Sequence, residues 1–475
     1  MSWKSPTRRH CRALVRGTTG ILLALVLQTG AATLGSLQRG SASIIGGQSQ
    51  TTVTISSVVK TQSFLLFSVA AAGNPSDFNV GGEITDATTL TFERFGTSGD
   101  VSIEWQVLEF SSGVTVQHGR LQRHGTGLAG DTTVPISSVD LGRSFATVTM
   151  SNSGSSLNNN EDATADITHA DSLRIALSGG PDEADFFWQV VQFDGATVQK
   201  LTPSMGTADL TTTATLGTAV DPSRSMLIGN FRGPGAWAPS ERPRAELTDG
   251  NTVTLTRDAG GSTADFVLYV VAFSDGSTVS RDTVRFDNGI GSRPVSIGAV
   301  DASRAAVVIP GHYGRQGTSD LASGDDPATG WFTVALSAAN QITVTRAAAA
   351  SNAVCPYEVV TFSAGGPTTR TWVGNSSTDW FVASNWSPNG IPGSQDTVIV
   401  DGSAAAHCIL TGDVTIADLR QTGGTINTSD GVSHNLTTHH FSITGGMFDA
   451  NNSVVTISGD CFLTSSADVF ERGNS

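Results

Sequence analysis

The chain has 475 residues, 42 acidic and 27 basic, for a formal charge of −15; only 15% of residues are charged and 53 are Gly. That length implies several domains with separate cores. The acidic balance argues against nucleic acid or anionic lipid as a partner. Thr, Ser, Gly and Ala dominate, and Lys4, Lys60 and Lys200 are the three lysines, a composition suited to exposed β-structure with many turns.

Lys4, Arg8, Arg9, Arg12 and Arg16 precede an apolar run from Ile21 to Leu27 and small residues at Thr29, Gly30, Ala31 and Ala32. This order predicts a secretory signal peptide over residues 1–32 and an extracellular or cell-surface location. The apolar run is too short to cross a bilayer and no other apolar stretch is long enough for a transmembrane helix, so membrane insertion is not expected. Removing the leader's five cations leaves 22 basic and 42 acidic residues, a formal charge of −20. Residues 33–46 read as a linker.

One phrase then returns four times: Trp105-Gln106-Val107-Leu108-Glu109-Phe110, Trp188-Gln189-Val190-Val191-Gln192-Phe193, Leu268-Tyr269-Val270-Val271-Ala272-Phe273 and Tyr357-Glu358-Val359-Val360-Thr361-Phe362. The closing Phe recurs after 83, 80 and 89 residues. A second anchor, Asp140…Arg143, Asp221…Arg224 and Asp301…Arg304, keeps the same period. A fixed period means one folded unit copied in tandem. Alternation such as Thr252-Val253-Thr254-Leu255-Thr256 puts one strand face in a core and one in water. The adjacent Val-Val breaks that alternation and calls for a bulge or for burial on both faces.

The fold class expected is all-β: four tandem β-sandwich-like repeats of six or seven strands, arranged as a rod or string. They are expected over residues 47–125, 126–204, 205–286 and 287–366. The start of a right-handed parallel β-helix is expected over 367–475.

That last segment opens with Thr371-Trp372-Val373-Gly374, Trp380, Asn385-Trp386-Ser387, Pro392-Gly393 and Asp396-Thr397-Val398-Ile399-Val400. Residues 370–402 resemble the opening of β-helical segments in bacterial secreted and cell-surface proteins of the autotransporter-like kind. The resemblance implies a stack of short strands. Phrases such as Leu410-Thr411-Gly412-Asp413-Val414-Thr415-Ile416 and Val454-Val455-Thr456-Ile457-Ser458-Gly459 fit it. No polar cap is visible before Ser475, so a truncated β-helix is expected. Cys408 and Cys461 share this segment and are candidates for a disulfide, while Cys355 reads as a buried apolar residue.

The sequence holds no Gly-x-Ser-x-Gly elbow, no His-Glu-x-x-His and no repeated carboxylate pair, so no catalytic residue and no enzyme activity is expected. His434, His439 and His440 cluster, but neighbours on a strand face opposite ways, so no metal site is expected. Asn158-Asn159-Asn160-Glu161-Asp162 with Asp166 is oxygen-rich, as calcium ligands are, yet its spacing suits a solvated turn better. The same holds for Gly324-Asp325-Asp326. No other cofactor is indicated. Trp105, Trp188 and Tyr357 lie in apolar strands and read as core.

The loop Arg232-Gly233-Pro234-Gly235-Ala236-Trp237 and its counterpart His312-Tyr313-Gly314-Arg315 vary between copies while the frame stays fixed. Arg232, Trp237, Tyr313 and Arg315 are therefore the candidate ligand-binding residues. The expected function is a structural or adhesion protein whose repeats display or bind a repetitive extracellular ligand such as polysaccharide. The alternatives are a carbohydrate-binding appendage of a longer extracellular enzyme and a self-assembling filament or coat subunit.

Overall fold

A computed structural model describes residues 32–73, 75–123, 130–154, 162–179, 183–233, 242–311, 318–319, 329–363, 369–388, 391–393 and 396–463. Four copies of one six-strand plan precede residue 363. Unit 1 holds β1 (Thr33–Ile44), β2 (Gln50–Thr54), β3 (Ser63–Ala71), β4 (Gly81–Asp86), β5 (Thr89–Glu93) and β6 (Val101–Ser112). Two antiparallel sheets result, ordered β1-β6-β3 and β2-β5-β4.

Unit 2 repeats this with β7 (Val114–Arg123), β8 (Thr132–Pro135), β9 (Ser144–Asn152), β10 (Ala163–His169), β11 (Ser172–Leu177) and β12 (Ala184–Phe193). In unit 3 the first strand is broken at Pro203, which lacks a ladder donor, into β13 (Ala196–Leu201) and β14 (Ser204–Met205). Then come β15 (Thr211–Thr215), β16 (Ser225–Arg232), β17 (Arg244–Leu247), β18 (Thr252–Thr256) and β19 (Ala264–Phe273). Unit 4 has β20 (Thr278–Phe286), β21 (Ser292–Ser296), β22 (Ala305–Val308), a short β23 (Thr318–Ser319), β24 (Phe332–Ala338), β25 (Gln341–Arg346) and β26 (Ala353–Thr361).

Strand pairing sets each unit's start earlier than the sequence suggested. Residues 33–46 were expected as a linker, yet Thr33–Ile44 form β1, paired with β6 from Thr33↔Ser112 to Ile44↔Val101 with register shifts only before Ser36. The stretch is rich in Gly and Ser, but Leu34, Leu37 and Ala42 pack against the core. Likewise β7, expected to close repeat 1, pairs along its whole length with β12 and so opens unit 2. The turn between β6 and β7 is Gly113 alone, at φ 73°, a conformation in which a Cβ would be strained.

The repeated phrase is the sixth strand of each unit. No register shift interrupts β12, and nine of its ten residues are buried. In β19, Phe266, Leu268 and Val270 enter the unit's own core, while Val267, Tyr269, Val271 and Phe273 enter a second core shared among units. Burial on both faces, not a bulge, accounts for the Val-Val pair. Trp105 and Trp188 are 7% and 8% exposed and each lies over a cross-strand Gly, Gly40 or Gly119. A Cβ on Gly119 would sit 2.2 Å from the Trp188 ring.

The units do not form the expected rod. Their closing phenylalanines meet at one point: Phe110–Phe193, Phe193–Phe273, Phe273–Phe362 and Phe362–Phe110 have centroids 5.2, 5.4, 5.9 and 5.5 Å apart. Each aromatic pair adds about 0.5–1.5 kcal/mol beyond burial of its area. The contacts close a ring in which unit 4 adjoins both unit 3 and unit 1.

The second residue of each phrase stitches its unit to the one before. Gln189 of unit 2 accepts from the Leu65 N–H (2.8 Å) and donates to its carbonyl (2.9 Å). Gln106 of unit 1 does the same to Val307 of unit 4 (2.9 and 2.8 Å). Glu358 of unit 4 accepts from the Leu227 N–H of unit 3 (2.9 Å). Leu65, Val307 and Leu227 lie on β3, β22 and β16, each the edge of its sheet. An open edge invites pairing with other chains, and here the neighbour's side chain occupies it.

The junction between units 2 and 3 differs: the Tyr269 hydroxyl accepts from Ile167 N–H (3.0 Å) and donates to the Ala165 carbonyl (3.1 Å) on β10. Opposite these residues on the first strands stand Arg39, His118, Lys200 and Arg281. All four reach across the same junctions to backbone carbonyls.

The remaining strands are β27 (Thr369–Trp372), β28 (Trp386–Ser387), β29 (Thr397–Asp401), β30 (Cys408–Ile409), β31 (Val414–Asn427), β32 (Leu436–Asp449), β33 (Val455–Ile457) and β34 (Cys461–Leu463). They form a β-solenoid of about three turns, with β29, β31 and β32 stacked in parallel over a separate core. The motif residues build its opening. Trp386 packs edge-on against Trp372 and Trp380 (5.0 and 4.7 Å), and buried Arg370 pairs with Asp396 at 2.9 Å. Asn385, fully buried, accepts from Ser376 and Ser377 N–H and donates to the Ser377 hydroxyl and the Asp379 carbonyl.

Two expectations fail in the solenoid. Cys408 and Cys461 are both free thiols, one buried and one exposed. Cys408 pairs with Ile426 on β31 and Cys461 with Phe441 on β32, in different coils. Each coil step is about 4.8 Å, so the two positions lie beyond the Cα separation a disulfide spans. The rings of His439 and His440 lie side by side, centroids 4.3 Å apart, rather than on opposite faces. The ladder skips His439 between Thr438 and His440, marking a corner where alternation lapses.

Candidate binding face

The six-strand plan sends its connections to two ends of the ring. At the lower end lie the turns between units, the short hairpins and the phenylalanine cluster. At the upper end lie the segments joining first to second, third to fourth and fifth to sixth strands. The third-to-fourth segments differ most: they span 72–80, 153–162, 233–243 and 309–331 in units 1 to 4. Variation concentrated at one end of a fixed frame is how rigid scaffolds carry binding loops.

Three buried arginines organise this end. Arg94, Arg257 and Arg346 each end a fifth strand or directly follow it and are 2–3% exposed. Arg94 donates to the carbonyls of Gln48, Ile45, Asp77, Ser98 and Gly99, so one guanidinium ties all three upper segments of unit 1. Arg346 ties the first-to-second and third-to-fourth segments of unit 4 through Ile290, Asp287 and Thr329 (2.8, 3.1 and 3.3 Å), and Arg257 holds Asp209, Gly206 and Ser262 in unit 3. The planar fork matches several carbonyls at once, which an ammonium could not do. Burial pushes the Arg94 and Arg346 guanidinium groups below their usual range. Unit 2 has Leu177 at this place, and its carbonyl receives Arg232 from unit 3 instead (3.1 Å). Where these arginines hold the first-to-second segments, Ile45, Leu210 and Ile290 stand exposed at 51%, 49% and 38%.

Beneath the face, one residue from the base of each third-to-fourth segment meets the next. Phe78 packs edge-on against Trp331 at 3.6 Å, the Arg242 guanidinium lies 5.7 Å from the Trp331 ring, and Arg242 pairs with Asp162 at 2.9 Å. Asn79 donates to Asn152 at 2.8 Å and joins units 1 and 2. The described bases of the four segments therefore form one closed, buried cluster.

Of the residues chosen from sequence, Trp237, Tyr313 and Arg315 lie outside the described residues, but the strand ends that bracket them are described. All belong to third-to-fourth segments. Arg232 sits at the end of β16 and is committed to unit 2 through Asp131 (3.1 Å) and the Leu177 carbonyl. That geometry makes it a tie between units. Asn158 to Glu161 and Gly324 to Asp326 are also outside the described residues. Asp162 is held by Arg242, and Asp166 by Lys200 (2.6 Å) and Arg174 (3.0 Å).

Asp140, Asp221 and Asp301 accept from N–H groups two residues on, capping tight turns. Arg304 pairs with Asp301 and donates to the Phe362 carbonyl (2.9 and 2.8 Å). Among the described residues, no group of three or more His, Cys, Asp or Glu is placed to hold a metal ion.

Sequence reasoning missed Arg94, Arg257 and Arg346. The signal was present: Thr91, Thr254 and Thr343 each precede one of them by three residues within an alternating strand. No protein-family model matches the chain, and no curated protein matches its sequence.

Proposed function

We propose that this is an exported binding and display protein, at the cell surface or outside the cell, whose upper face contacts a repetitive ligand such as a polysaccharide. One observation carries the reading: ring closure brings four segments of different length and sequence to one end of a single block. Trp237, Tyr313 and Arg315 belong to two of these segments, and an aromatic ring with a guanidinium suits a sugar surface. Several contacts on one rigid face add avidity without the entropy loss of ordering separate beads on a string. The described chain opens with buried Ala32 and the strand at Thr33, so a leader ending there takes nothing from the strand plan. Assembly into a filament is the weaker reading. The outer edge strands β2, β8, β15 and β21 have four or five residues each, and Pro135 and Pro294 lie in two of them, features that discourage edge pairing.

The test is binding of the exported chain to immobilised polysaccharides and a glycan array, with calcium and with chelator. The expected result is saturable binding that weakens at least tenfold in Trp237→Ala and in Tyr313→Ala/Arg315→Ala. Absence of binding under both conditions would leave the upper face without a glycan role.

A further inference from the structure

At each junction the first and sixth strands of one unit face the fourth strand of the preceding unit across a cleft. Between units 4 and 1 it encloses about 200 Å³ among Arg39, Glu104, Trp105, Ala335 and Leu336. Between units 3 and 4 it encloses about 180 Å³ among Arg281, Asp282, Tyr357, Glu246 and Thr248. These are the same place twice. Arg39 faces Gln106 across the strand pair as Arg281 faces Glu358, and pairing to the fifth strands matches Ala335 of β24 with Glu246 of β17 and Leu336 with Leu247.

At the other two junctions the place is filled from within. Tyr269 and Lys200 extend onto 165–167 of β10, the corresponding edge strand, with a hydroxyl and an ammonium bonded to its backbone. Between units 1 and 2, Phe187 lies so close to β4 that a Cβ on Gly81 would be 2.0 Å from its ring, and Arg120 covers Phe187 at 4.8 Å. The protein thus shows what the place accepts: a ring, and a hydroxyl directed at the edge strand.

We infer that the clefts between units 4 and 1 and between units 3 and 4 are two equivalent sites for a small hydroxylated ring, a single sugar residue. Their size is below that of drug-sized pockets and fits one ring. Arg39 is already fixed by the Ala305 carbonyl (2.8 Å) and Arg281 by that of Pro222 (2.7 Å), so each guanidinium is preorganised beside an aromatic wall. The Glu104 carboxylate has no hydrogen-bond partner among the described residues and is available to ring hydroxyls. These sites stand apart from the upper face and do not depend on it.

The experiment is calorimetric titration of the exported chain with methyl glucoside, mannoside and galactoside. At least one should bind with two equivalents per chain. Ala335→Trp and Thr248→Trp, each confirmed folded by its unfolding transition, should each remove one equivalent. Glu104→Gln, which fills nothing, should weaken one of the two sites at least fivefold. No saturation by any sugar in the millimolar range, or an unchanged count in folded Ala335→Trp and Thr248→Trp, would overturn the proposal. Trp237→Ala should leave both equivalents intact. Absence of polymer binding by the unsubstituted chain, with both sugar equivalents present, would therefore count against the upper face alone.

Discussion

Gln189 and Gln117 make the same pair of bonds in different surroundings, so substituting each by Ala isolates the junction. Gln189 joins unit 2 to Leu65 of unit 1, buried, at 2.8 and 2.9 Å. Gln117 joins Ser137 within unit 2, exposed, at 2.6 and 2.8 Å. In Gln189→Ala the Leu65 N–H and carbonyl both lose their partner in a dry interface, at about 1–3 kcal/mol each, or about 2–6 kcal/mol together. In Gln117→Ala water replaces the amide and the loss is about 0–1 kcal/mol. Urea unfolding followed by Trp fluorescence gives both values from midpoint and slope. The expected outcome is a clear gap, with one cooperative transition in the wild type. Equal losses within about 0.5 kcal/mol, the usual scatter for surface sites, would refute the stitched ring and restore a string of independent units.

Further outcomes follow from named groups. Burial pushes the Glu358 carboxyl up, opposed by Arg281 and the Leu227 N–H. The folded state therefore binds this proton more tightly than the unfolded one, and its contribution to stability grows as pH falls through the folded value toward the unfolded value near 4.5. Wild type should accordingly gain on Glu358→Gln between pH 7 and pH 5 in paired thermal melts; a gap independent of pH would contradict this. Arg346→Ala should free residues 287–291 and lower stability by about 2–4 kcal/mol, since three carbonyls lose a charged donor. Limited proteolysis should then cut that segment first. Cys461 should react with a thiol reagent in the native protein, whereas Cys355 and Cys408, buried and with thiols pushed up, should react only after unfolding, as mass spectrometry of labelled peptides would record.

The six-strand units and the stacked C-terminal strands were legible because period and alternation are written locally. The ring was not, since it depends on which surface receives the second face of the sixth strand. The Val-Val pair announced that such a surface existed without saying where. Gln106, Gln189, Tyr269 and Glu358 look like the polar face of a strand, and only the edge strand opposite turns them into ties. Cys408 and Cys461 looked paired because they share a segment, yet coil order separates them. Variation between copies pointed to the third-to-fourth segments that hold Trp237 and Tyr313, whereas nothing in the strand alternation singled out the buried arginines that hold the adjoining loops.

The closed ring and the open solenoid answer differently to recombination. A solenoid coil can be gained or lost by unequal crossing-over, because each coil meets only its two neighbours. The ring has no such freedom. Deleting unit 3 would leave the buried Glu358 carboxylate without the Leu227 N–H it now accepts from and remove one of four converging phenylalanines, and a fifth unit would find the Gln106–Val307 junction already shut. The copy number of the first part of the chain is thereby fixed at four by its geometry, while the length of the second part stays free to drift.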